Sequence, residues 1–123
     1  MRGIKLEVSF YEDDKGVQPA KEFILTLPLK MRAKISRIIT LLEENGNQLR
    51  APYSKHLTDG IFELRAQAGS DISRVLYFYI VGNKAILTHG FIKKTQKTPA
   101  SEIEKAKQYR KAHAANMRRE QIK

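Results

Sequence analysis

The sequence predicts a small α+β protein with the element order β-α-α-β-β-β-α, in which an N-terminal helical hairpin covers a small, mainly antiparallel sheet. Three observations predict this class. Residues 4–10 alternate apolar and polar side chains, two stripes of helical period follow, and three strand-like runs with short turns occupy the second half. Because 123 residues can bury one hydrophobic core but hardly two, we expect one domain over residues 1–123.

The first three elements are indicated by the spacing of apolar residues. The alternation over residues 4–10 is typical of a half-buried strand. Pro19 suits the first turn of a helix, where its missing N–H leaves no partner unsatisfied, and apolar residues recur at helical spacing as far as Leu27. Pro28 interrupts this pattern, and a second stripe follows over residues 31–42. Two helices joined at one proline should form an antiparallel hairpin.

Three short runs rich in β-branched and aromatic residues predict the rest of the sheet. They are residues 61–66, 72–81 and 85–92. Turn-forming residues separate them at Ala68–Asp71 and at Gly82–Asn83, and consecutive strands with such short connections favour an antiparallel meander. The stretch 47–60 before the first run is predicted to be irregular, because it contains Pro52 and Asp59–Gly60.

A last helix is predicted at about residues 98–119, with Thr98 as its N-cap and Pro99 in its first turn. This helix belongs to a basic segment: residues 93–123 hold 10 Lys and Arg against 3 Glu, within a net charge of +10 for the chain. A basic C-terminal quarter indicates a polyanionic partner such as nucleic acid. A solvated, lysine-rich helix would give the same count, so charge alone leaves both explanations open.

The composition excludes several classes of protein and site. Without cysteine, the chain has no disulfide, no thiolate zinc site and no cysteine nucleophile. It has no run of about 18 apolar residues, and its N-terminus mixes charged with apolar residues, so we expect no membrane span, no signal peptide and a cytoplasmic location. Acidic clusters occur only at Glu12–Asp14 and Glu43–Glu44, in a predicted loop and a helix end, so we expect no metal and no cofactor.

The strongest chemical pattern is a group of cations at one end of the predicted meander. In antiparallel order, the end of the first run lies beside the start of the second, and the end of the third lies at the same edge. Metal-free cleavage of RNA needs cations that stabilise charge on the phosphate and groups that exchange protons. The candidate catalytic residues are therefore Arg65, Arg74, Lys93 and Lys94. Chance convergence, or pairing of these cations with acids, would give the same pattern.

Further residues could assist at this end of the sheet. His89 is a candidate general acid or base, although a strand histidine can equally be a half-buried residue with one satisfied hydrogen bond. The candidate RNA-binding residues are Lys55, His56 and Lys97. Tyr53, in the irregular stretch, could stack on a base.

Three segments resemble the RelE/HigB-like toxins of type II toxin–antitoxin systems. They are Lys55–Arg65 (KHLTDGIFELR), Arg74–Phe78 (RVLYF) and His89–Pro99 (HGFIKKTQKTP). The last segment is similar to the phage-derived HigB-like branch. Together they extend the resemblance over roughly residues 5–112.

The resemblance implies an mRNA endonuclease that acts on translating ribosomes and is neutralised by a small antitoxin, commonly a helix-turn-helix protein. DNA would be contacted only through the complex with that antitoxin. The matching site positions are Arg65, Arg74, Lys93 and Lys94, with His89 as a further candidate. The sequence departs from RelE-type enzymes at Glu63, which takes an outward position where they carry a lysine. RelE-type enzymes also have a tyrosine near the C-terminus with a proposed catalytic role, and the only late tyrosine here is Tyr109, within the last helix.

We therefore expect a toxin that acts as a metal-independent, ribosome-dependent mRNA endonuclease and inhibits translation. The alternative is a catalytically weak or inactive toxin-like module that binds an antitoxin or RNA, and the departure at Glu63 favours it. A basic RNA-binding protein without toxin activity is a third hypothesis, which rests on charge alone. On the first hypothesis Arg74 faces outward, so Arg74→Ala should reduce activity by about two orders of magnitude and leave the fold intact.

Overall fold

A computed structural model of the chain describes residues 6–81, 83–93 and 96–122. The strands in these ranges are β1 (Glu7–Phe10), β2 (Ser54–Thr58), β3 (Ile61–Ala68), β4 (Asp71–Ile80) and β5 (Lys84–Lys93). The helices are α1 (Pro19–Thr26), α2 (Leu29–Asn45) and α3 (Ala100–Ile122), with a short 3-10 turn at Gly46–Gln48. The strands form one sheet in the order β1-β5-β4-β3-β2, in which β1 pairs with β5 in parallel and the other neighbours are antiparallel. The predicted α+β class and helical hairpin are confirmed.

The stretch predicted to be irregular contains an additional strand, β2, at the edge of the sheet. Leu57 is its only apolar residue, so no alternation marks it in the sequence. An edge strand can pair through its backbone without presenting an apolar face. The pairing of β2 with β3 reaches only Ser54 opposite Leu64. Within the described residues, β3 beyond Arg65 therefore has no neighbouring strand on that side.

Different helices cover the two faces of the sheet. The core on the hairpin side contains Ile24, Ile35, Leu42, Val75 and Tyr77. The core on the opposite side contains Leu76, Phe78, Ile86 and Ala106, with Tyr109 packed against it. Alternate residues of β4 thus enter opposite cores, as the period of two requires. The face opposite the helical hairpin is covered in part by α3.

The turns between the last three strands fall close to the predicted positions. β3 and β4 are joined by two residues, of which Gly69 has a φ of 63° that glycine adopts without strain. Between β4 and β5, Asn83 has a φ of 65°. Its predicted turn partner, Gly82, lies outside the described residues.

The last helix begins at Ala100, two residues later than the predicted N-cap. The prediction that Thr98 caps this helix is wrong: its hydroxyl donates to the Glu63 carboxylate, while the backbone N–H groups of Glu102 and Ile103 donate to the Pro99 carbonyl. Thr98 is consequently a buried polar group between the helix and the sheet. No helix in the described ranges is long and apolar enough to cross a membrane.

Candidate functional site

Three of the predicted cations lie on one face and at one end of the sheet. Arg65 of β3 is directly opposite Arg74 of β4, and residues paired in this way project to the same face. Lys93 of β5 is opposite Ile72, two residues before Arg74 on β4. The predicted convergence of these three residues is therefore confirmed in the sheet register. Lys94 lies outside the described residues.

Glu63, buried on the same face, connects the two arginines. One carboxylate oxygen accepts a hydrogen bond from Arg65 Nε, and the other accepts one from the Thr98 hydroxyl. Arg74 Nη1 lies 3.9 Å from Glu63 Oε2 and donates to Thr98 Oγ1 at 3.1 Å. Since two guanidinium groups share one carboxylate, the group of Glu63, Arg65 and Arg74 retains one net positive charge.

Arg74 is buried, and the prediction that its side chain would be exposed to solvent is wrong. Its side chain is on the face opposite the helical hairpin, as expected, but has 0% exposure. The period of two assigned the face correctly, but it could not show that Thr98 and the start of α3 would cover this position. Burial lowers the pKa of Arg74, and Glu63 opposes this change. A guanidinium nevertheless stays charged in proteins, so Arg74 is a buried cation that depends on its counter-ion.

Arg65 is the arginine of this pair that reaches the surface, with 18% of its side chain exposed. Its Nε donates to Glu63, its Nη1 donates to Gln96 Oε1 at 3.0 Å, and its Nη2 donates to the Gln96 carbonyl. A guanidinium has five N–H donors. Among the described residues, two donors of Arg65 therefore remain for an anion. The hydrogen bond from Nε to the buried Glu63 carboxylate fixes the orientation of the Arg65 guanidinium.

His89 is buried beneath α3. Its Nδ1 lies 3.0 Å from the Thr88 hydroxyl, and its Nε2 lies 3.0 Å from Glu102 Oε1 at the start of α3. Burial lowers the pKa of His89 below its ordinary value of 6.5, and the hydrogen bond that Nε2 makes to the Glu102 carboxylate opposes this change. The ring also contacts Tyr109, with 5.6 Å between the ring centroids. In this arrangement His89 attaches α3 to the sheet and has partners at both ring nitrogens.

The three predicted RNA-binding residues do not all lie together. Lys55 is exposed on β2 opposite Glu63, so it shares the face of Arg65. Lys97 is exposed and follows Gln96, the partner of Arg65. The remaining residue, His56, is paired with Phe62 on the hairpin face of the sheet, with 4.9 Å between the ring centroids. The fold thus separates His56 from the cationic face.

Sequence reasoning missed the polar residues that organise the arginines. Glu63 was considered only as a departure from a pattern, and its role as a buried counter-ion was not predicted. Its spacing of two residues from Arg65 was a usable signal, because residues at i and i+2 of a strand share a face. Gln96 and Thr98 carried no such signal, since their contacts with β3 and β4 span 24 to 35 residues of sequence.

A comparison with protein families decides the assignment. Residues 22–111 match the family described as Phage derived protein Gp49-like (DUF891). The chain belongs to this family. It is a family of RelE/HigB-like toxins of toxin–antitoxin systems, so the resemblance drawn from the three sequence segments is confirmed. No curated protein matches the chain.

The Gp49-like chain is accordingly a phage-derived, toxin-like module, and its family implies an antitoxin partner. The match spans both arginines, Glu63 and most of α3. The ion-pair network of Glu63, Arg65 and Arg74 is therefore part of the family domain of this chain.

Proposed function

We propose that this Gp49-like protein is the toxin of a type II toxin–antitoxin pair and acts as a metal-independent, ribosome-dependent mRNA endonuclease that inhibits translation. The observation that carries the proposal is the partly exposed guanidinium of Arg65. It has donors available for an anion, a buried orienting carboxylate, and a second buried cation behind it. A preorganised cation of this kind stabilises charge that develops on a phosphate.

The proposed reaction uses the RNA's own 2′-hydroxyl as nucleophile. The 2′-oxygen forms a bond to the adjacent phosphorus as its proton leaves, the bond from phosphorus to the 5′-oxygen breaks, and that oxygen takes up a proton. The products are a 2′,3′-cyclic phosphate and a 5′-hydroxyl end. Within the described residues, no group of three or more His, Asp or Glu side chains is placed to hold a metal ion.

The residues have different roles in this proposal. Arg65 contacts the phosphate. Lys93 and Lys97 are exposed cations that could exchange protons, and Lys94, which lies outside the described residues, is proposed as a further cation. The buried residues Arg74 and His89 act as positioning residues, because each is enclosed by the protein. Arg74 holds Glu63 in place behind Arg65, and His89 holds the start of α3 against β5.

The partners follow from the proposed activity. mRNA on the ribosome is the substrate, which agrees with the expected cytoplasmic location. The family's antitoxin partner is proposed to be a helix-turn-helix protein, and the toxin would approach DNA only in complex with it. The chain's net charge of +10 favours both ribosomal RNA and an acidic partner.

The catalytically weak or inactive module remains the second candidate. Two specific observations favour it: Arg74 is buried, and Glu63 takes up one donor and part of the charge of Arg65. Such a module would bind its antitoxin or RNA without producing new RNA ends.

Primer extension after brief induction in cells separates the two candidates. We would compare the wild type with Arg65→Gln and with Lys111→Gln, which removes an equal charge from the exposed face of α3. The wild type and Lys111→Gln should produce new 5′ ends within translated codons, and Arg65→Gln should reduce them by about two orders of magnitude. The new ends should accept a ligated adaptor only after phosphorylation. Folded wild-type protein that yields no new ends would favour the binding module.

A further inference from the structure

A groove of about 1070 Å³ runs from the candidate site toward α2. It lies where β3 extends beyond its neighbour β2, between this strand, the loop 51–53 and one side of α2. Its volume is slightly above the range for small-molecule sites, which is roughly 300–1,000 Å³. The groove thus results from the shortness of β2.

The charged side chains that line the groove are all basic. They are Lys34, Arg37, Lys55 and Arg65. Lys34 Nζ donates to the Gln67 carbonyl at 2.8 Å, so this lysine is held at the sheet edge. Arg37 is exposed and has no ion pair with any residue in the described ranges. This arrangement attracts a polyanion and offers no carboxylate to repel it.

Much of the rest of the groove lining is apolar or aromatic. α2 contributes Ala33, Ile38 and Leu41, and the loop contributes Pro52 and Tyr53. Tyr53 is 41% exposed although its backbone is hydrogen-bonded on both sides. Its carbonyl accepts a hydrogen bond from the Arg65 N–H at 2.9 Å, and its N–H donates to the Arg50 carbonyl at 3.1 Å. An exposed aromatic ring on a fixed backbone is a platform on which a base can stack.

The groove is continuous with the candidate site, since Arg65 and its partner Gln96 line both. We propose that it binds the single-stranded RNA that flanks the scissile phosphate, with a base on Tyr53 and phosphates on Lys34, Arg37 and Lys55. This inference rests on the proposed nuclease function and extends it to the part of the substrate that is not cleaved. Basic side chains beside a stacking platform are the combination by which proteins hold single strands.

Fluorescence anisotropy with a labelled 2′-O-methyl RNA of about twelve nucleotides tests the groove, because this probe lacks the 2′-hydroxyl and cannot be cleaved by the proposed reaction. Binding would be measured between about 50 and 200 mM salt. The double variant Lys34→Gln/Arg37→Gln should reduce the slope of log affinity against log salt by about 1.4, since each phosphate contact with a single strand contributes about 0.7. Lys21→Gln/Lys30→Gln, with the same charge change on exposed positions of α1 and α2, should leave the slope unchanged.

Tyr53 provides a test that does not depend on charge. Tyr53→Ala should weaken binding of the same probe by roughly 5- to 150-fold, as expected for the loss of one stacked base. Tyr53→Phe should bind as the wild type does, because the ring is retained. The proposal would be overturned if Lys34→Gln/Arg37→Gln and the control Lys21→Gln/Lys30→Gln weakened binding equally. It would also be overturned if Tyr53→Ala had no effect.

Two further results distinguish this inference from the function on which it rests. If the wild type cleaves mRNA on ribosomes and Lys34→Gln/Arg37→Gln binds the probe and cleaves equally well, the groove proposal fails and the nuclease stands. If the wild type never cleaves but the groove variants lose the probe, the nuclease fails and the RNA groove stands. Displacement of the probe by poly-glutamate of equal charge, as effective as displacement by unlabelled RNA, would instead assign the groove to an acidic protein segment.

Discussion

Arg74→Ala should destabilise the Gp49-like fold strongly, because it removes a buried cation from beside a buried carboxylate. The substitution eliminates the ion pair with Glu63 at 3.9 Å and the hydrogen bond to Thr98 at 3.1 Å. Removing one partner of a buried ion pair costs about 3–5 kcal/mol. Glu63 would keep its bonds to Arg65 and Thr98, so we expect a loss near the lower limit, about 3 kcal/mol.

For a chain of this length, each kcal/mol shifts the melting temperature by about 4 °C, so Arg74→Ala should melt about 12 °C below the wild type. Circular dichroism melts at neutral pH would measure this. Arg65→Ala is the comparison: it should melt at a higher temperature than Arg74→Ala, because the Arg65 side chain is partly solvated whereas that of Arg74 is fully buried. A melting temperature of Arg74→Ala within about 2 °C of the wild type would refute the assignment of Arg74 to a stabilising buried network.

Three further predictions concern the surroundings of this network. His89 has a lowered pKa in the folded state, so its contribution to the free energy of unfolding should be complete above pH 6.5 and be lost as the pH falls below that value. In urea titrations at decreasing pH, the free energy of unfolding should therefore fall less steeply for His89→Gln than for the wild type. Thr98→Val removes a buried hydroxyl that contacts both members of the ion pair and should cost about 1–3 kcal/mol in the same assay, whereas Thr58→Val, on the exposed edge strand, should be close to neutral. Gly90→Ala would place a methyl group against the Phe23 ring and 2.9 Å from a carbonyl oxygen of β4, so it should cost about 1–3 kcal/mol or more; a melt identical to the wild type would contradict the close packing of α1 on β5.

The residue pattern predicted most of the fold because most elements bury one face. The alternation in β3 and the helical stripes of α1 and α2 each follow from a face that contacts the core. β4 is buried on both faces, and its richness in β-branched and aromatic residues follows from that. β2 lacks such a face, and its backbone pairing with β3 leaves no mark on its sequence. The start of α3 was misplaced for a related reason, since the hydroxyl of Thr98 is used by tertiary contacts that local capping rules do not describe.

The sequence predicted which residues of the candidate site lie opposite each other in the sheet, but it did not predict how deeply each of them is buried. Strand order was sufficient to bring Arg65 opposite Arg74, because pairing in a meander is determined by turn positions. It could not reveal that Arg74 would be buried in contact with Thr98 while Arg65 remained partly exposed. That difference depends on how the segment around Thr98 packs on the sheet, which strand pairing does not describe. It also changes which arginine a test of catalysis should use, since loss of activity in Arg74→Ala would be mixed with loss of folded protein.

Cleavage of a defined mRNA in a reconstituted translation reaction tests the central claim most directly. Purified wild-type protein and Arg65→Gln, with equal melting profiles established beforehand, would be added with and without ribosomes. The account predicts cuts within translated codons, carrying 5′-hydroxyl ends, only for the wild type and only when ribosomes occupy the message. Intact mRNA after incubation of folded wild-type protein with translating ribosomes, or equal cleavage by Arg65→Gln, would contradict it.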